Sequence, residues 1–341
     1  MAECLVVATR GSKSKSIASF SNLTARPSSL LEAAVEARSA RDRAVQGDMF
    51  DGGPAGVRSS SVIEAARGLG LGSLCLPRSA QSAELPVVTL GTVAARGLVD
   101  RDINGGPTDR NKTGPPQGPF VVRSVRSGEV PTYPMLWAHS APRERTLVVR
   151  IDSCGDPRLG DDARAVERWD RAASRLHSNR DFRLNSQSLG MCLTPEKCLG
   201  GRAWPNVIPL KPQYEIPLLL WANSTLGLIL FWWHGLRQQQ GRACITITKL
   251  PNLPVLDPRK LTGQQLDHCR RVFEDVKEKT FLPANEAYRD TTRKNLDRAL
   301  LFGVTSVLQL DQRLEEGLDL LREQWCAEPS VHGGKGTRIN A

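Results

Sequence analysis

Apolar side chains recur at helical spacing across residues 218–234, with Leu218, Trp221, Thr225, Leu228, Ile229 and Trp232 on one broad face. The pattern predicts a single helix whose face is interrupted early by Asn223 and Ser224. Gly235 and Gly241 end it, because glycine readily takes the left-handed turn that stops a helix. Residues 243–248 then alternate like a half-buried strand. Prolines 251, 254 and 258 are too dense for a central strand or helix, and 261–276 returns to helical spacing. Upstream, strands are predicted at 119–126, 132–139 and 146–151, followed by a charged helix over 161–178. Downstream, 264–277 and 291–302 are amphipathic. Residues 311–325 place Leu314, Leu318, Leu321 and Trp325 at three- and four-residue steps. From Glu328 onward the chain reads as a mobile tail.

The succession over 217–273 carries more than its parts. Leu220, Asn223 and Ser224 form a Leu-x-x-Asn-Ser helix, followed by a glycine stop and a strand. Then come Leu250, Pro251, Leu253, Pro254 and Pro258 in a proline-rich turn, and a helix containing Gln265. This ordered set resembles the target-recognition domains of bacterial restriction and modification enzymes. Such domains occur in the C-terminal half of adenine-N6 DNA methyltransferases and in type I specificity subunits. Residues 1–11 are similar to a late strand of such a methyltransferase's catalytic domain, which would make Met1 an internal methionine of a longer ancestral protein. Residues 323–335 are similar to the end of large methylase-like proteins. The resemblance implies an α+β fold, with a mixed-sheet target-recognition domain over 81–256 and a helical C-terminal region over 257–326. Residues 1–80 would be a partly disordered remnant of an α/β catalytic domain, and 327–341 a flexible tail.

The same resemblance limits the chemistry expected. Adenine methyltransferases of this group hold the flipped base with an Asp/Asn-Pro-Pro-Tyr/Phe loop and S-adenosylmethionine with a glycine-rich strand-to-helix turn. Neither Pro-Pro-Tyr nor Pro-Pro-Phe occurs, and Pro115-Pro116-Gln117 does not substitute. Gly68, Gly70 and Gly72 follow a helical stretch over 62–67 rather than a strand, the wrong setting for a phosphate- or cofactor-cradling turn. No methyl transfer is expected from this chain alone. S-adenosylmethionine would belong to an intact relative or to a separate catalytic subunit.

A chain of 341 residues can hold two domains. Six of the seven tryptophans lie between Trp137 and Trp233, which concentrates packing in the middle third. Residues 1–130 are rich in Gly, Ser, Ala and Arg and poor in large apolar groups, so much of that part is expected to be loosely ordered. The net charge of +10 sits in residues 1–256, with 32 Lys/Arg against 22 Asp/Glu. That places a polyanion-facing surface on the first two thirds. The eight cysteines include no Cys-x-x-Cys pair and the five histidines are scattered, which speaks against a metal site. Residues 216–236 are about as long as a membrane span. Pro217, Asn223, Ser224, Thr225 and His234 favour a buried core helix instead, and a cytoplasmic location with no membrane partner is expected.

Recognition chemistry would lie in the middle of the chain. Residues 176–188 group Arg180, Arg183, Asn185 and Gln187. Arginine reads guanine bidentately and Asn or Gln reads adenine, so these are side chains a major-groove reader would use. If the segment is a strand, alternation puts Arg183, Asn185 and Gln187 on one face. A solvated polar face is the plainer account of the same residues. Arg237, Arg242 and Lys249 flank the central helix and strand where phosphate contacts are expected, and Arg202 sits in a Gly-Gly turn anchored by Trp204. The expected function is a DNA-binding target-recognition subunit or fragment, with double-stranded DNA and a separate methyltransferase subunit as partners. The alternatives are a helical protein-interaction module and a non-functional truncated remnant. An enzyme site built from His139, Asp152, Cys154 and His177 has no motif behind it.

Overall fold

The computed structural model describes residues 4–5, 21–23, 57–58, 87–104, 118–238, 241–304 and 312–333. The catalytic-domain remnant expected over 1–80 falls outside these residues except for three short strands, and the glycine turn at 68–72 falls outside them altogether. Those strands, β1 (Cys4–Leu5), β2 (Ser21–Leu23) and β3 (Val57–Arg58), pair antiparallel in the order β1-β2-β3. There follow β4 (Val87–Thr89), β5 (Ala94–Arg96), α1 (Asp100–Ile103), β6 (Phe120–Ser124), β7 (Pro134–Leu136) and β8 (Ser153–Pro157). Helix α2 (Asp162–Ala172) leads into β9 (Ser174–Ser178), β10 (Asp181–Arg183), β11 (Met191–Gly200) and β12 (Asn206–Pro209). Helices α3 (Glu215–Asn223) and α4 (Thr225–His234) precede β13 (Leu236–Gln238), β14 (Arg242–Cys244) and β15 (Pro254–Leu256). The chain continues in α5 (Gly263–Val276), α6 (Thr291–Arg298), α7 (Gln312–Cys326) and α8 (Pro329–His332).

Seven strands form one mixed sheet in the order β5-β12-β9-β11-β7-β8-β6. The ten-residue β11 joins its halves: its first part pairs antiparallel with β9, and its end runs parallel to β7 after a register break between Leu193 and Cys198. The architecture is α+β, as expected. A smaller sheet, β10-β14-β13, projects beside it, and β15 pairs with β4. The proline-rich turn therefore contributes an edge ribbon rather than a central strand, as its missing N–H donors require. One continuous apolar core runs from Leu90 through Trp204 and Trp221 to Trp325 and Val331.

The central apolar stretch is not one helix. Residues 212–223 and 225–234 meet at an angle of 78°, and among the described residues no single helix is long and apolar enough to cross a membrane. Helical periodicity carries across the corner, but Ser224 adopts extended dihedrals and caps α4, its side chain accepting from Gly227 N at 3.1 Å. Asn223 fills the space the corner opens: its Nδ2 donates to Met191 O (2.8 Å) and Leu219 O (2.9 Å), and its Oδ1 accepts from Gly190 N (3.0 Å). A Cβ on Gly227 would stand 1.9 Å from Trp221 O, so the corner closes only with glycine there.

Several other expectations shift. The charged helix stops at Ala172, and Leu176, His177 and Ser178 enter the sheet fully buried in β9. Residues 146–151 make only the bridge Val148 to Leu193. The strand expected over 243–248 is Arg242–Cys244, followed by turn. Helix α6 gives way at Ala299 to a π-helical turn. Residues from Glu328, expected in a mobile tail, are packed as far as His332: Val331 is fully buried and Trp232 Nε1 donates to Ser330 Oγ at 3.0 Å.

Gln265 has a local job. Its side chain accepts from Thr262 N (2.8 Å) while Thr262 Oγ1 accepts from Gln265 N (3.3 Å), a reciprocal capping box at the start of α5. Thr262→Ala should lower stability by about 1 kcal/mol. An unchanged urea midpoint would show that the cap contributes nothing.

Candidate nucleic-acid interface

The β10-β14-β13 sheet exists because Phe182 and Ala243, paired across it, are buried on its inner face, with Phe182 edge-on to Phe231 of α4. Alternation then sends Arg183 and Arg242 outward. Arg183 lies opposite Arg242, and Asp181 opposite Cys244. Arg183 is exposed, and Arg242 Nη2 lies 3.3 Å from Asp181 Oδ2. Two cationic side chains thus stand directly across from one another. Like charges so placed repel, and the arrangement is relieved by Asp181 and by solvent.

Arg180 joins this row to a second basic segment. Its N donates to Ala203 O and its O accepts from Ile245 N, each at 3.0 Å, stitching the loop that carries exposed Arg202 to the exit of β14. Asp100 lies within the field of both Arg202 and Arg180. Burial pushes its carboxyl up, and the two guanidinium groups pull only partly against this. With Asp100 and Asp181 as counter-charges, four arginines leave this surface net positive. It can take a run of phosphates, and its planar guanidinium forks suit bidentate contact with phosphate or guanine.

The other expected site residues fare differently. β10 ends at Arg183, and the chain turns, with Gln187 N donating to Arg183 O at 2.8 Å. Asn185 is half-buried in that turn. Gln187, expected on the same outward face, is buried: its Oε1 accepts from Arg183 N at 2.6 Å and its Nε2 faces Glu144 Oε2 at 3.4 Å. It faces inward and shapes the turn. Arg237 takes the register position opposite Ala243, out of step with the Arg183–Arg242 row. Lys249 is exposed in the turn after β14, its N donating to Thr246 O.

The residues offered for an enzyme site do not assemble one. Asp152 accepts from Trp137 N and Ala138 N (2.9 Å each) and from Arg143 (3.0 Å), which occupies it structurally. His177 is sealed in the sheet, with Nε2 3.3 Å from Cys198 Sγ and Nδ1 3.2 Å from Trp204 O. The spacing suggests a Cys–His pair, but burial pushes the Cys198 thiol up to about 12 and the His177 imidazole down to about 4. A neutral, inaccessible thiol is no nucleophile. Cys154, Cys192, Cys198, Cys244, Cys269 and Cys326 are free and buried, and the described residues hold no cluster of three or more His, Cys, Asp or Glu suited to a metal.

Residues that matter here escaped notice in the sequence. Glu144, between Arg143 and Arg145, has the look of a solvated charge, yet it is buried at 1% exposure. Two of its partners, Gln187 and Trp204, lie 43 and 60 residues away, where no local pattern announces them.

Comparison with solved structures finds a similar fold in part of one restriction–modification enzyme. The chain is similar over 85% of its length to the type IIG restriction endonuclease BpuSI, with a TM-score of 0.50 and 12% identity. It spans about a third of that enzyme, covering 35% of it. A type I restriction–modification complex and the HsdS subunit from Thermoanaerobacter tengcongensis each overlap 89% of this chain at 15% identity. They cover 58% and 57% of those chains, at a TM-score of 0.30, which is too loose to define a shared fold. No family model and no curated protein matches the sequence.

Proposed function

We propose that this chain is a target-recognition unit of a restriction–modification system that binds double-stranded DNA. The observation carrying the reading is the outward row Arg183–Arg242, joined through Arg180 to Arg202, in a fold similar to part of a type IIG restriction endonuclease. Arg183 and Arg242 enter or line the major groove, while Arg180 and Arg202 hold the backbone. Methyl transfer, where it occurs, is carried by a catalytic subunit or domain that binds S-adenosylmethionine. That subunit or domain must extract the target base from the stack, and the recognition unit holds the duplex in register for it.

The test is a titration of labelled duplex DNA with the full chain across a salt series. Affinity should fall steeply with salt, because each neutralised phosphate releases counterions. Arg202→Ala should reduce the slope of log affinity against log salt by about 1. Arg183→Ala should cost about 1–3 kcal/mol at its preferred site, and less on unrelated duplexes. A folded chain that does not bind at low salt would sink the DNA reading and leave a remnant or a protein-binding role.

A further inference from the structure

Glu144 is a buried carboxylate with polar partners on several separate segments. Its Oε1 accepts from Ser140 N (2.5 Å) and from Trp204 Nε1 (3.2 Å). Its Oε2 accepts from Gln187 Nε2 (3.4 Å) and lies 3.4 Å from His139 Nδ1, while Arg143 Nη2 stands 3.9 Å away, shared with Asp152. His139 packs edge-on to Trp204 with ring centroids 5.4 Å apart. Burial acts to raise this carboxyl, but His139, the Ser140 amide and Trp204 outweigh it and hold it below the usual carboxylate range. It is therefore an anion at neutral pH, and an expensive one to bury unless its lone pairs are used.

Two of those lone pairs go to the two basic segments. Trp204 anchors the loop that carries Arg202. Gln187 closes the turn after β10, and its Oε1 accepts the backbone N–H of Arg183. Asn179 Nδ2 donates to Leu189 O at 3.1 Å, and its 3.5 Å approach to Gln187 Oε1 extends the same network to the residue before Arg180. One ionised group thus ties the Arg183 strand and the Arg202 loop to a common point beneath the surface. We infer that Glu144 is the positioning residue of the interface, holding these two segments in the mutual register in which both meet one duplex. The inference rests on the DNA-binding reading above.

The experiment selects binding sites from a randomised duplex library with the full chain, and measures salt dependence on the unselected library. Wild type should enrich a sequence motif. Glu144→Gln should retain the salt slope, since no surface charge is lost, while its enrichment falls about tenfold. Glu144→Gln combined with Gln187→Glu puts a carboxylate and an amide across the same gap in reverse, and should recover much of the enrichment. Trp204→Phe removes the indole N–H while leaving a smaller aromatic ring in place, and should lower enrichment about threefold. This variant keeps the test open if Glu144→Gln unfolds. Unchanged enrichment in Glu144→Gln or in Trp204→Phe, or a double variant no better than the single, overturns the positioning role. Wild type that fails to bind the library overturns the DNA reading itself, before any variant is compared, and this inference with it.

Discussion

Replacing Asp297 with alanine should destabilise the protein by about 3–5 kcal/mol, the range for breaking a buried ion pair from one side. Asp297 is 1% exposed on the salt-bridge side chain and receives Arg322 Nη2 at 2.7 Å, Thr225 N at 2.7 Å and the Thr225 hydroxyl. Arg322 is itself buried and donates to Thr225 Oγ1 as well. Nearby Arg293 is fully buried over the Phe281 ring and donates to Asn223 O, Ser188 O and Leu282 O. Removing Asp297 leaves two buried cations with less compensating charge and the Thr225 N–H at the start of α4 without its acceptor, although Ser224 still caps the helix. Asp297→Asn keeps the side-chain shape but turns one acceptor oxygen into an NH2 facing donors, and should cost nearly as much. Urea unfolding of the three proteins at neutral pH decides the matter. A loss below about 1 kcal/mol in the alanine variant would mean water replaces the carboxylate.

The second large effect is one of pH. Burial holds His177 neutral down to about 4, whereas the unfolded chain takes up its proton near the ordinary imidazole value of about 6.5. Its folded value is depressed, so its contribution is complete above about pH 6.5 and is lost as pH falls towards 4. The loss from this one group is about 3 kcal/mol. Glu144 and Asp257, held below the ordinary carboxylate range, give up their contribution only at lower pH, so the two windows are separable. Stability measured at pH 7.5 and 4.5 should fall markedly in wild type and much less in His177→Gln. Equal losses in both would assign the acid sensitivity elsewhere.

The sequence was most legible where a pattern is short-range. Thr262 and Gln265 announce a capping box three residues apart, and Leu318, Leu321 and Trp325 of α7 are buried as their spacing predicts. The α+β class and the mixed sheet are implied by the resemblance that residues 217–273 carry. What failed was long-range. Helical periodicity continues through Asn223 and Ser224, so the corner there shows only in contacts with Gly190, Met191 and Arg293. Gln187 alternates in phase with Arg183, yet a turn intervenes and a glutamate 43 residues upstream draws it inside. Of the eight candidate DNA contacts, Arg180, Arg183, Arg202 and Arg242 come together because β10, β14 and the Ala203 loop share backbone hydrogen bonds. Gln187 turns inward, and the register sets Arg237 out of step.

The corner at Ser224 also bears on how the protein is made. Thr225 finds Asp297 72 residues later and Arg322 97 residues later, and Trp232 finds Ser330 98 residues later. On the ribosome, α3 and α4 emerge long before the groups that satisfy their junction. Two almost wholly apolar helices must wait, shielded by transient contacts or a chaperone, until α6 and α7 are synthesised. Such distant partners make for slow closure. Because Arg293 also grips Ser188 beside the Gln187 turn, that turn gains a further brace only once α6 has been made. Completion of the core beside that turn is thus a late product of synthesis.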